Sequence, residues 1–236
     1  MSKLNEPVLP GTGRTDYERY LRTDELLSLQ KSSDAMTHRD ELLFQTIHQT
    51  AELWLKLACF EVDEAISLLR RGETWPAIRL LRRANDSLDL VVSGTMMLEH
   101  LAPWDYHGFR GGLGHGSGFD SPGFKRTHEV SPVLGTEFRD TLERRGVTLM
   151  QLYRASTEHE DLFQLGERLI DWDQRLMHWR TMHLRLVERI IGGAVIGTQG
   201  TPVEVLGKRL DTRYYPDLWD VRNALTAEAH TSPERP

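Results

Sequence analysis

Apolar residues recur along most of this chain at alternating steps of three and four. In the stretch after residue 40, Phe44, His48, Ala51, Leu55, Ala58, Val62, Ala65 and Leu69 form one such line. In the stretch after residue 158, Leu162, Leu165, Leu169, Trp172, Leu176, Trp179, His183, Leu186 and Ile190 form a second. Each is the buried seam of a long amphipathic helix. Period-two alternation bounded by turn residues is almost absent, so the pattern predicts an all-α fold.

The predicted helices follow from these lines and their punctuation. A first runs over 16–30, with Tyr17, Tyr20, Leu21 and Leu27 apolar. A second, capped by Asp34 or Thr37, runs to Arg71 and stops at Gly72. A third runs from Thr74 to about His100, with Pro76 in its first turn. Further helices cover 134–145 and 158–191, and a short one lies near the end of the chain. Two glycine-rich stretches interrupt them, "APWDYHGFRGGLGHGSGFDSPGF" (102–124) and "GGAVIGTQGTP" (192–202), and both read as loops. The first is too aromatic for a mere linker, and long ordered loops are disproportionately functional. The expected organisation is a flexible leader over 1–15, one helical domain over 16–228 and a disordered tail over 229–236.

Composition narrows the class. The 236 residues suffice for one large core, and the net charge of −6 comes without a basic tract interleaved with aromatics, which argues against a nucleic-acid partner. No apolar run is long enough to span a bilayer, and the first residues lack a signal-peptide core. A single cysteine, Cys59, can form neither an internal disulfide nor a thiolate cluster. A reducing cytoplasm fits these features.

The chemistry starts from the two seams, because each carries one histidine. A lone histidine on an apolar face is more often a hydrogen-bonded core residue than a ligand. Two facing helices that each aim one imidazole inward are also how bundles build cofactor sites. Neither histidine has carboxylates at ligand spacing, so a bare metal fits poorly. A haem fits better, with one histidine as axial ligand and the other on the opposite side. Arg110, among small residues, suits bidentate capture of a carboxylate, and equally suits an ion pair with Asp105 or Asp120. Thr198 offers a hydroxyl beside glycine backbone, for an anion or for a turn.

In order, "YERYLRTDELLSLQ", "LLFQTIHQTAELWLKL", "DYHGFRGGLGHGSGF", "HWRTMHLRLVERIIGG", "GTQGTP" and "YYPDLWDVR" resemble the tryptophan 2,3-dioxygenase family over nearly the whole chain. The resemblance implies a bundle of long antiparallel helices enclosing haem b, with L-tryptophan or a tryptophan-derived compound and O2 as substrates. It implies that His183 is the proximal haem ligand and that His48 faces the indole N–H. Phe44 and Tyr106 would line the pocket, Arg110 would bind the substrate carboxylate, and Thr198 would contact the amino-acid end. It further implies a homotetramer, a dimer of dimers, in which Tyr17, Tyr20 and Leu21 enter a neighbouring subunit's site.

Three departures stand out. The stretch between "GFKRTHEV" and the His183 helix is shorter than expected by several tens of residues. A tryptophan expected near Thr95 is missing, and Asp120 stands where glutamine is usual. The expected reaction is 2,3-dioxygenation to an N-formylkynurenine. The alternatives are monooxygenation of tryptophan or a β-substituted tryptophan to a 2-oxindole, and a haem-binding helical protein without activity.

Overall fold

The computed structural model describes residues 6–193, 207 and 210–231. Among them every regular element is helical: α1 (Asp16–Leu21), α2 (Thr23–Leu26), α3 (Glu41–Arg70), α4 (Thr74–Met96), α5 (Pro103–Arg110), α6 (Pro122–Arg144), α7 (Leu149–Arg154), α8 (Glu160–Ile191) and α9 (Pro216–Thr231). The four long helices form a ring in which α3 packs on α4, α4 on α8, α8 on α6 and α6 on α3.

The two seams meet inside this ring. Leu55, Ala58, Val62, Ala65 and Leu69 are buried on α3, as are Leu162, Leu165, Leu169, Trp172 and Leu176 on α8. Polar ties fix the packing where apolar contact alone would allow sliding. The Trp172 indole N–H donates to Ser131 Oγ at 2.8 Å, joining α8 to α6. Asn85 donates to the Arg168 carbonyl at 3.0 Å, joining α4 to α8. The buried carboxylate of Glu61 pairs with Arg83 across α3 and α4. Glu137, also buried, receives Arg70 and Arg144, each at 3.0 Å.

Asp173 does similar work for the C-terminal block. Its carboxylate is fully buried and accepts the backbone N–H groups of Tyr214 (2.8 Å) and Tyr215 (3.1 Å) and the Trp219 indole N–H (3.1 Å). Burial raises its pKa although all three donors favour the anion. This one side chain holds the start of α9 against α8.

Several boundaries differ from those expected. The first helix is broken at Arg22, whose left-handed backbone (φ 53°) separates α1 from α2. Residues 8–15 fold back on α1, with Val8 and Leu9 donating to Asp16 and Arg19 donating to the Gly13 carbonyl. Helix α3 starts at Glu41, so neither Asp34 nor Thr37 caps it. Thr37 instead donates, through N–H and hydroxyl, to the buried Glu41 carboxylate, which Lys31 also reaches at 2.6 Å. Inside the first glycine-rich stretch lies α5, started by Pro103. Helix α6 begins twelve residues before Leu134, where Ser121 caps its first turn ahead of Pro122. The short α7, begun by a Thr148–Gln151 capping box, was not foreseen.

Candidate active site

Both seams change character at their histidines. On α3 the line is closed from Leu55 onward, but Phe44 is half-buried and His48 is exposed by area. On α8 it is closed to Leu176, after which Trp179 and His183 are half-buried. The larger core therefore stops short of the imidazoles, while Leu186 and Ile190, beyond His183, are buried again.

A second, smaller apolar cluster caps this end. Tyr106 and Phe109 from α5 pack with Leu186 and Ile190 of α8, and with Phe44 and Ile47 of α3. Phe44 meets Phe109 edge-on at 5.6 Å and lies 6.0 Å from Tyr106. It also lies 4.1 Å from the His48 ring. Burial raises the pKa of Tyr106, while the nearby Arg110 guanidinium acts in the opposite sense.

Desolvation lowers the pKa of both imidazoles. Desolvation lowers the pKa of His48, against opposing contributions from the Phe44 carbonyl and the Glu52 carboxylate. Desolvation, together with the charge His48 would carry, brings His183 down to about 4. His48 Nδ1 lies 2.7 Å from the Phe44 carbonyl. A carbonyl only accepts, so Nδ1 carries the proton and Nε2 presents a lone pair.

His183 is positioned by stacking. Its ring lies 4.9 Å from that of Trp179, at 15° to it, and Trp179 in turn lies 3.7 Å from Phe124. A Cβ built on Gly118 would stand 3.9 Å from both Cε1 and Nε2 of His183, so a side chain there would fill the space beside the ring. No group of three or more His, Cys, Asp or Glu side chains converges on a metal position among the described residues. A neutral, stacked imidazole as lone protein donor, beside a glycine cradle, suits iron that already carries the four ligands of a porphyrin. The site therefore fits a haem held through His183.

The expected residues divide into three sets. Phe44, His48, Tyr106 and His183 line the same end of the bundle, with Arg110 on the last turn of α5 rather than in a loop. Asp105 lies 3.7 Å from His38 Nε2, and Asp120 accepts the Ser117 N–H at 3.1 Å among its contacts. Tyr17, Tyr20 and Leu21 project outward on α1 and are 69%, 77% and 45% exposed. Thr198 lies outside the described residues. Trp179 and Gly118 were not singled out from sequence, although Trp179 stands one turn before His183 in the same apolar line. Cys59 is buried, and burial pushes its thiol up to about 12, so it stays protonated.

Comparison with known proteins agrees with this geometry. The sequence signature described as Tryptophan 2,3-dioxygenase matches residues 5–139 and 138–225. The chain is 34% identical to a tryptophan 2,3-dioxygenase of Caulobacter vibrioides over 261 positions, covering 89% of this chain and 98% of that protein. It is 32% identical to one of Bacillus thuringiensis strain Al Hakam over 282 positions, covering 94% and 100%. The corresponding protein of Myxococcus xanthus is 31% identical over 265 positions, covering 91% of each. These alignments are longer than the chain, and the signature divides at residues 138–139, inside α6. The two matched segments thus meet within a helix that continues unbroken in this chain. On the combined weight of signature, identity and coverage, the chain belongs to the tryptophan 2,3-dioxygenase family.

Proposed function

We propose that the protein catalyses haem-dependent 2,3-dioxygenation of L-tryptophan, adding both atoms of O2 across C2 and C3 of the indole and opening the ring to N-formylkynurenine. The observation that carries this reading is that the two seam histidines are each held against an aromatic ring, His48 at 4.1 Å from Phe44 on α3 and His183 at 4.9 Å from Trp179 on α8. The family to which the chain belongs supplies the substrate.

Haem b, when held through His183, supplies the iron centre that activates O2. Trp179 restrains the rotation of the His183 ring by stacking on it. His48 Nε2 accepts the indole N–H, and because Nδ1–H is already committed to the Phe44 carbonyl, the ring neither flips nor changes tautomer to do so. Phe44 and Tyr106 flank the indole and keep water from it. Arg110 binds the carboxylate of the amino acid, and Thr198 contacts its amino-acid end. An indole lacking the amino-acid part would forgo these contacts, which disfavours it.

The exposed tyrosines of α1 support a homotetramer in which Tyr17, Tyr20 and Leu21 complete a neighbouring subunit's site. Leu53, Leu57 and Phe60 form a second exposed apolar line on α3, which fits contact with another copy. No described helix is long and apolar enough to cross a membrane.

The deciding experiment is product mass from reduced, haem-loaded protein supplied with L-tryptophan and 18O-labelled O2. Two labels in a ring-opened product are expected. One label in an intact ring would assign monooxygenation instead, and no Soret band after haem loading would remove the reading altogether.

A further inference from the structure

We propose that Glu52 is a positioning residue, whose carboxylate sets how far the turn over Gly118–Asp120 stands from the helix that carries His48. The inference rests on the site described above. Glu52 follows His48 by four residues, so the two side chains lie on one face of α3. Both of its oxygens are engaged across the bundle. Ser121 Oγ donates to Oε1 at 2.5 Å, and the Gly123 N–H donates to Oε2 at 2.9 Å.

Ser121 is used twice, since its Oγ also accepts the Phe124 N–H at 3.1 Å as the cap of α6. The carboxylate therefore sits at the N-terminal turn of α6, where anionic charge is favoured. Gly123 makes the approach possible. A Cβ there would come within 2.7 Å of Glu52 Oε2 and of Leu55 Cβ, so any other residue would push α6 away from α3. Two independent features, an acceptor pair and a missing side chain, thus enforce the same close contact.

The contact reaches the site through the turn just before it. Ser121 N–H bonds to the Gly118 carbonyl at 3.3 Å, and Asp120 closes a capping box on Ser117. Gly118 is the residue beside His183. One side chain, a single helical turn from His48, therefore fixes the element that borders His183. Glu52 itself acts through the placement of that turn.

The test uses the full-length protein with Glu52→Gln, Ser121→Ala and the double variant. Amide hydrogen exchange over residues 117–124 is followed without substrate, and KM and kcat for L-tryptophan are measured with haem bound. Loss of a hydrogen bond to a charged group predicts exchange about tenfold faster in this segment. It also predicts a KM raised about tenfold with kcat changed less than about twofold, since the segment shapes binding before chemistry. The double variant should be no worse than Glu52→Gln alone. Wild-type exchange and KM in both single variants, with only a lower melting temperature, would overturn the proposal. If the wild-type protein does not turn over tryptophan, the functional reading fails, and the exchange result still decides the role of Glu52. If Glu52→Gln fails to fold, Ser121→Ala tests the same contact from the other side.

Discussion

His48 donates its Nδ1–H to the carbonyl of Phe44, one helical turn earlier, at 2.7 Å. The bond leaves Nε2 as an acceptor, and desolvation shifts the ring toward its neutral form. Replacing His48 by alanine is expected to keep haem content and lower kcat/KM for tryptophan by about 10- to 100-fold through lost orientation. The same variant should lose most of its preference for tryptophan over 1-methyltryptophan, which has no N–H to offer. Steady-state kinetics with both substrates checks this, and unchanged discrimination would dismiss His48 as the indole partner.

His183→Ala is expected to reduce haem retained through gel filtration by about tenfold or more, because it removes the axial ligand. His178 lies on the same helix but faces a groove lined by Asp89, Asp171 and Arg175, a cavity of about 500 Å³ on the α4–α8 side. His178→Ala should leave the Soret absorbance intact. Equal loss in the two variants would show that the helix, not the ligand, was at fault.

Asp173 accepts three donors with no solvent in reach. Asp173→Ala would strand the N–H groups of Tyr214, Tyr215 and Trp219, and is expected to cost about 3 kcal/mol of stability. Asp173→Asn, which keeps an acceptor, should cost less. Urea unfolding of the three proteins provides the comparison.

Glu41 is held at a pKa of about 2, first by Lys31 and then by the Thr37 hydroxyl. Since its folded value lies below the ordinary 4.5, the native state binds fewer protons than the unfolded chain between those limits. Its contribution to stability is full above about pH 4.5 and lost as the pH falls toward 2. Glu41→Gln should flatten this part of the acid limb, measured as the urea midpoint against pH. An unchanged slope would mean that the pair with Lys31 adds nothing.

Much of the bundle was legible in the sequence because the α3 and α8 lines repeat without a break, and the lone histidine in each line was visible as an exception. The boundaries were less so. The start of α6 was hidden because Gly123 reads as loop, although Ser121 before Pro122 is a helix-start signal. Helix α5 was hidden by the glycines that follow it, so Arg110 was read as a loop residue. Glu52 carried no signal at all, since its partners lie 69 and 71 residues away and only the packed bundle brings them together.

The division between the two apolar clusters bears on how the protein is made. The larger cluster, from Leu55 and Val62 on α3 to Leu162 and Leu176 on α8, contains neither imidazole. A core of that composition would let the chain fold before its prosthetic group binds. Cofactor supply would then limit how much of the protein is active, and not how much of it is folded.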